Sequence, residues 1–170
     1  MLPPAEFAPA SLRRRFASLL YEALLLVALV LVASFAIAPL VSPGSAMSGR
    51  LAIPSMAGRA ASFAALFALG AAYFGYSWSD GRRTLPMKTW KLALATIDGA
   101  PLNVRRALAR YAAAWLAPAA ALACYALLQP RGYGALAWPL LALNWLAAFV
   151  DRDRQFLHDR VAGTRLVSAA

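Results

Sequence analysis

Residues 16–41 read FASLLYEALLLVALVLVASFAIAPLV, an apolar run in which Glu22 is the one charged side chain. A helix rises about 1.5 Å per residue, so this run is long enough to cross a hydrocarbon layer of about 30 Å. Three further apolar runs follow at Ala60–Trp78, Tyr111–Leu128 and Tyr133–Val150. Because a chain in lipid must satisfy its backbone hydrogen bonds internally, the four runs predict four transmembrane helices.

The composition supports this interpretation. Hydrophobic residues make up 62% of the 170 residues and charged residues only 14%, whereas soluble domains average about 25% charged residues. The sequence therefore predicts a single all-α integral membrane domain over residues 1–170. The lone Cys124 lies inside the third run, so it offers neither a disulfide nor a metal site, and we expect no metal and no cofactor.

The net charge of +10 is distributed unevenly along the chain. Of the 17 basic residues, three precede the first run, seven lie between the second and third, and four follow the fourth. The other two connections hold two and one. Alternate sides thus carry fourteen against three, and the positive-inside rule predicts that both termini are cytoplasmic. This topology explains the net charge by the orientation of the chain in the lipid bilayer, which is the expected partner. No nucleic acid is needed to explain it.

The stretch between the second and third runs interleaves basic and apolar residues. Pro86 is expected to begin a short helix or an extended segment over Met87 to Trp90, and Asn103 is expected to cap a helix that enters the third run. The segments Leu92–Ile97 and Thr164–Val167 are short and extended, and we expect them to pair as a two-stranded ribbon on the cytoplasmic face. Six basic side chains are predicted to face lipid headgroups: Arg82, Arg83, Lys88, Lys91, Arg105 and Arg106.

The location of Glu22 inside an apolar run needs an explanation, because placing a carboxylate within a span costs a few kcal/mol of free energy. Arg15 precedes it by seven residues and so shares its helix face, and Asn144 reaches a similar depth from the fourth run. These three side chains are expected to converge in a polar pocket. Glu22 is either a packing residue, neutral by protonation or hydrogen-bonded to Asn144 or a tyrosine, or it is a site for a cation or proton. His158, flanked by Asp and Arg, indicates a solvated, salt-bridged junction rather than a metal site or catalytic dyad.

Several short segments carry a resemblance to the RDD family of bacterial membrane proteins. They occur in this order along nearly the whole chain: Arg14-Arg15-Phe16-Ala17, Leu20-Tyr21, Thr84 to Trp90, Ile97-Asp98-Gly99, Arg106-Ala107-Leu108, Asp151, Gln155, Leu157 to Arg160, and Ala162-Gly163-Thr164. The resemblance places the family's arginine on Arg15 and its second aspartate on Asp159. Glu22 occupies the position of the first aspartate, which keeps the charge and lengthens the side chain by one methylene.

The resemblance implies a multi-pass protein of the bacterial inner membrane, with transport of some ligand suggested for the family and cation/proton exchange for certain relatives. We therefore expect Arg15, Glu22, Asn144 and Asp159 to form a site for a cation or other small ligand at the cytoplasmic face. Four spans are few for transport, so a homo-oligomer or partner subunit is expected. The alternative is a non-transporting scaffold or assembly factor that binds lipid or a protein partner. We do not expect an enzyme, because no nucleophile stands beside the acidic residues.

Overall fold

The computed structural model describes residues 10–41 and 54–169, and it is mostly helical. The helices and strands follow one another in this order: α1 Leu12–Val41, α2 Met56–Ser77, α3 Leu85–Thr89, β1 Leu92–Thr96, α4 Val104–Ala114, α5 Leu116–Leu128, two 3-10 helices at Gln129–Arg131 and Gly134–Ala142, α6 Leu143–Val150, α7 Leu157–Val161 and β2 Thr164–Ser168. The connection between the first and second apolar runs lies largely outside the described residues.

Within the described residues, three helical segments are long and apolar enough to cross a membrane. They are Leu12–Leu40, Met56–Ser77 and Val104–Arg131, the last combining α4, α5 and the first 3-10 helix. The first, second and third predicted spans therefore correspond to helices that begin earlier than the apolar runs alone indicate. The fourth apolar segment, Gly134–Val150, is shorter, and its first half is a 3-10 helix that contains Pro139.

Two of the helices, α3 and α4, begin at capping residues that can be recognised in the sequence. Thr84 caps α3 through a hydrogen bond from the backbone N–H of Met87, and a proline stands in the first turn, as predicted for Pro86. Asn103 caps α4 by accepting from the backbone N–H of Arg106 at 2.9 Å. Both predicted starts are confirmed, because each depends on a side chain next to the helix it begins.

The predicted ribbon is also confirmed. Strand β1 pairs antiparallel with β2, and the register places Leu92 opposite Ser168 and Thr96 opposite Thr164. The side chain of Leu92 is fully buried and that of Leu166 nearly so, because one face of the ribbon packs against the helices. The ribbon thus closes one end of the bundle, which we call the ribbon end.

The helices carry apolar side chains on their outside as well as inside. Val27, Leu31 and Phe35 on α1 are all more than half exposed, which is typical of a surface that meets lipid. The buried core lies instead at the ribbon end, where the rings of Phe74 in α2 and of Trp78, directly after α2, pack with centroids 4.1 Å apart and Phe74 contacts Tyr111 of α4. Ala10, just before α1, belongs to this core, and Leu26 of α1 packs against it.

Candidate functional site

A cavity of about 390 Å³ lies at the ribbon end, between α1, α2, α4 and α6. Its wall is mainly apolar and aromatic, with a few polar side chains among them. Those polar side chains are Arg15, Ser18, Glu22, Arg110, Asn144 and His158, and the large aromatic ones are Phe74, Trp78, Tyr111, Trp115, Trp145 and Phe156. Such a volume and such a lining are typical of a site for a small molecule.

Glu22 contributes a carboxylate to this wall. Its Oε1 accepts a hydrogen bond from the hydroxyl of Tyr73 at 2.8 Å, and its Oε2 accepts one from the hydroxyl of Thr84 at 2.6 Å. Among the described residues no basic side chain lies within 4 Å of it. The two hydroxyls orient the carboxyl group of Glu22 towards the cavity, whose lining also includes Arg15 and Arg110.

The hydrogen bond from Thr84 also shows how far along the bundle Glu22 lies. Counting along the helix from Phe16 places Glu22 about 9 Å inside the apolar run. However, Thr84 lies beyond the end of α2, in the connection to α3. Glu22 therefore lies level with the connection that follows α2, at the ribbon end. Helix α1 has 30 residues, or about 45 Å of length, which exceeds a hydrocarbon layer of about 30 Å.

Arg15 is almost fully buried and joins α1 to the ribbon. Its guanidinium donates to the backbone carbonyl of Arg154 and, at 2.9 Å, to that of Leu166 in β2. Its Nε has no hydrogen-bond partner in the described part of the chain. The sequence predicts that Arg15 contacts a ligand. In the structure its hydrogen bonds instead join α1 to Arg154 and to strand β2.

Asp159 lies behind the cavity wall, where it forms an ion pair with Arg110. Both Nε and Nη2 of Arg110 approach Oδ1 of Asp159 at 2.7 Å, and the two side chains are 7% and 0% exposed. The guanidinium also stacks over the ring of Trp78, 4.1 Å from its centroid. Burial raises the pKa of Asp159, but the charge of Arg110 outweighs it and holds that pKa below its usual value. Asp159 is therefore ionised in the folded protein.

His158 and Asn144 form a second buried contact. Oδ1 of Asn144 accepts from the backbone N–H of His158 at 3.1 Å and lies 2.9 Å from its Nδ1. Burial lowers the pKa of His158 to about 4, against a smaller opposing effect of Asp159. The imidazole is neutral at pH 7, and because Oδ1 of Asn144 can only accept, this contact requires the tautomer with the hydrogen on Nδ1. The prediction of a solvated junction is wrong for His158 and Asp159, since both are buried.

The solvated ion pairs of the tail lie elsewhere. Arg160 contacts Asp151 at 2.7 Å and Asp153 at 2.8 Å, and its side chain is 45% exposed. The hydrogen bond from Arg160 holds the pKa of Asp151 below its usual value. Within residues 10–41 and 54–169, no cluster of three or more His, Cys, Asp and Glu side chains has the arrangement needed for a metal ion.

The structure thus brings Arg15, Glu22 and Asn144 to one cavity and places Asp159 one layer behind it. The bond from Tyr73 matches the expectation of a tyrosine beside Glu22, although the sequence does not identify which one. The sequence does not predict the roles of Arg110 and Thr84. A signal was available for Arg110, because an arginine followed at once by an apolar run needs a partner when its helix is buried. Tyr73 and Thr84 gave no local signal.

The six basic residues predicted to face lipid headgroups lie between the end of α2 and the first turn of α4. Lys88, Lys91, Arg105 and Arg106 are exposed, Arg82 is exposed and paired with Asp80 at 2.8 Å, and Arg83 is half-buried.

Long apolar helices, a lipid-facing surface and a buried charge cluster at one end define an α-helical membrane protein. The chain belongs to the RDD family, whose model matches residues 9–163, and RDD proteins are membrane proteins. Searches of the curated proteins and of the solved structures found no significant match.

Proposed function

We propose that this protein is a multi-pass inner-membrane protein that binds a small organic cation in the cavity at the ribbon end, as part of a transport path. The observation that carries the proposal is the carboxylate of Glu22, which lines the cavity without a basic partner in the described residues. A charge left unpaired in a largely apolar cavity is costly, and a cationic ligand compensates that cost.

The cavity wall favours an organic cation over a bare metal ion. Around Glu22 only the hydroxyls of Tyr73 and Thr84 supply further oxygen atoms, whereas hard cations such as Ca²⁺ take about six to eight. The remainder of the wall is aliphatic and aromatic, and aromatic faces attract cations. Trp78 already stacks with the guanidinium of Arg110, so this wall accommodates a positive group.

The proposal assigns different roles to the charged side chains. Glu22 contacts the ligand, whereas Arg15 and the Arg110–Asp159 pair hold α1, α4, α7 and the ribbon together around it. The positive charge of Arg110 is balanced by Asp159, which limits its repulsion of a cation.

We further propose that four segments cross the membrane and that both termini are cytoplasmic. A 3-10 helix rises about 2.0 Å per residue, so the nine residues of Gly134–Ala142 span about 18 Å, and the eight of α6 add about 12 Å. Their sum matches a hydrocarbon layer of about 30 Å. The fourteen-to-three distribution of basic residues supports the orientation.

Uptake into proteoliposomes tests the transport proposal. Radiolabelled tetraethylammonium serves as the organic probe, with Na⁺ and K⁺ measured in parallel, for the wild type and for Glu22→Gln. Gln keeps the size of the side chain and its contacts with the two hydroxyls but removes the charge. Asp80→Asn is the matched control, because it removes an exposed carboxylate. We expect wild type and control to take up the probe and Glu22→Gln to lose uptake. Uptake no faster than into empty vesicles by any version contradicts transport.

The second candidate function is a non-transporting scaffold, which the exposed basic side chains of the α2–α4 connection favour. A scaffold predicts that Glu22→Gln leaves the function of cells unchanged, while neutralising Lys91, Arg105 and Arg106 together abolishes association with a partner. The opposite result supports a ligand site in the cavity of Glu22.

A further inference from the structure

A second, basic cavity lies outside the bundle, at the end of α2. It has a volume of about 310 Å³ and is separate from the cavity of Glu22. The residues that line it come from the last turn of α2, from the turn that follows and from α3: Tyr76, Ser77, Gly81, Arg82, Arg83 and Lys88. Three of the six are cationic, so we call it the basic cavity.

The positive charge of the basic cavity is only partly balanced. Asp80 is the carboxylate nearest in sequence, and it pairs with Arg82 at 2.8 Å. In the part of the chain that the structure describes, Arg83 and Lys88 form no ion pair. Two cations directed at one cavity without a counter-charge repel each other, and an anion between them removes that repulsion.

The cavity is ordered before any ligand arrives. Arg82 donates to the carbonyl oxygen of Tyr76 at 2.7 Å and to the hydroxyl of Ser79 at 2.6 Å, and its guanidinium stacks on the Tyr76 ring at 4.2 Å. Asp80 and Gly81 have φ of 54° and 74°, and the turn closes by a backbone bond from Arg82 to Ser79 at 2.9 Å. This turn therefore presents its basic side chains from a fixed backbone.

The position of the basic cavity distinguishes a lipid from a soluble anion. Tyr76 belongs to the last turn of α2, a helix long and apolar enough to cross a membrane, and its ring is 68% exposed. Exposed tyrosines at helix ends mark the level of the lipid headgroups. The phosphates of phospholipids lie at this level, and basic clusters there attract anionic lipids. A soluble phosphate, in contrast, is not concentrated at the level of the headgroups.

We propose that the basic cavity binds the phosphate of an anionic phospholipid, with Arg83 and Lys88 as the principal contacts and Arg82 as a fixed third donor. The site is independent of the cation proposed for the inner cavity, since no side chain lines both. It gives the connection from α2 to α3 a fixed place at the membrane surface.

Lipid binding to the full-length protein in a neutral detergent tests this site. The probes are phosphatidylglycerol and phosphatidylcholine with the same acyl chains, and bound lipid is counted by native mass spectrometry. The variant Arg83→Gln/Lys88→Gln is compared with Arg13→Gln/Arg152→Gln, which removes the same charge from exposed positions that line neither cavity. We expect the wild type and the control to prefer phosphatidylglycerol at least tenfold, and the first variant to lose that preference.

Three results would overturn the proposal. They are an equal loss in both double variants, an equal affinity for the two lipids, and saturation of the wild type by soluble glycerol 3-phosphate at the concentrations that suffice for the lipid. If the double variant does not fold, Lys88→Gln alone answers the question, because Lys88 is exposed. A single variant that keeps the full preference also contradicts the site.

Discussion

At the scale of single residues, the ion pair of Asp159 with Arg110 is the most consequential contact at the ribbon end. We predict that Asp159→Asn lowers the free energy of unfolding by about 3 kcal/mol, because it leaves a buried guanidinium without a counter-charge. Asp153→Asn, which disturbs an exposed pair, should cost less than about 1 kcal/mol. Thermal unfolding of the purified variants in detergent measures both, and equal destabilisation would contradict a special role for the buried pair.

His158 makes stability depend on pH. Its pKa is about 4 in the folded protein and 6.5 when solvated, so the unfolded chain binds more protons between these values. The contribution of neutral His158 to the free energy of unfolding is complete above pH 6.5. It is lost as pH falls, and the loss is about 3 kcal/mol at pH 4. Asp159 keeps its charge in this window, since Arg110 holds its pKa below the usual value.

Unfolding midpoints between pH 4 and 7 test this dependence. We expect the midpoint of the wild type to fall over that range and the curve of His158→Gln to be flatter, because Gln does not titrate. The same slope in both proteins would show that another group is responsible.

At the scale of elements, Thr84 connects the start of α3 to the inner cavity. It caps the helix and donates to Glu22, so we predict that Thr84→Ala lowers the free energy of unfolding by about 1 kcal/mol or more. Thr89→Ala is the control, because the hydroxyl of Thr89 is exposed and bonds only within α3. Thr84→Ser should restore stability. Failure of Ser to restore it would indicate that the methyl group, not the hydroxyl, is what matters.

The elements also show which features the sequence could predict. The cap at Asn103, the helix start at Pro86 and the pairing of β1 with β2 followed from residues beside each element. The shared cavity of Arg15 and Glu22 was foreseeable, since a spacing of seven residues fixes one helix face. Contacts between distant segments were not foreseeable in this way.

Two examples explain that failure. Glu22 bonds to Tyr73 and Thr84, 51 and 62 residues away, and nothing near either residue reports on the first helix. Arg110 and Asp159 meet only because α4 packs on α7. A single sequence contains the charges of such pairs but not the packing that joins them.

At the scale of the whole molecule, the proposed topology places three connections on defined sides. We predict that single cysteines at positions 106 and 152 react with a membrane-impermeant maleimide from the cytoplasmic side and that one at position 131 reacts from the opposite side. Each is introduced by Arg→Cys with Cys124 replaced by serine. Labelling of right-side-out and inverted vesicles measures this. Cysteines at 131 and 152 that react from the same side would contradict a fourth span.

The charge of Glu22 in the inner cavity is the feature on which the proposed function depends. Calorimetric titration of tetraethylammonium into the purified protein measures its effect on binding separately from transport. We predict saturable binding by the wild type and by Asp80→Asn, and a Kd at least tenfold higher for Glu22→Gln, which corresponds to about 1.4 kcal/mol of lost attraction. Binding of the same strength by Glu22→Gln and wild type, or none by any version, would contradict a cation site at Glu22.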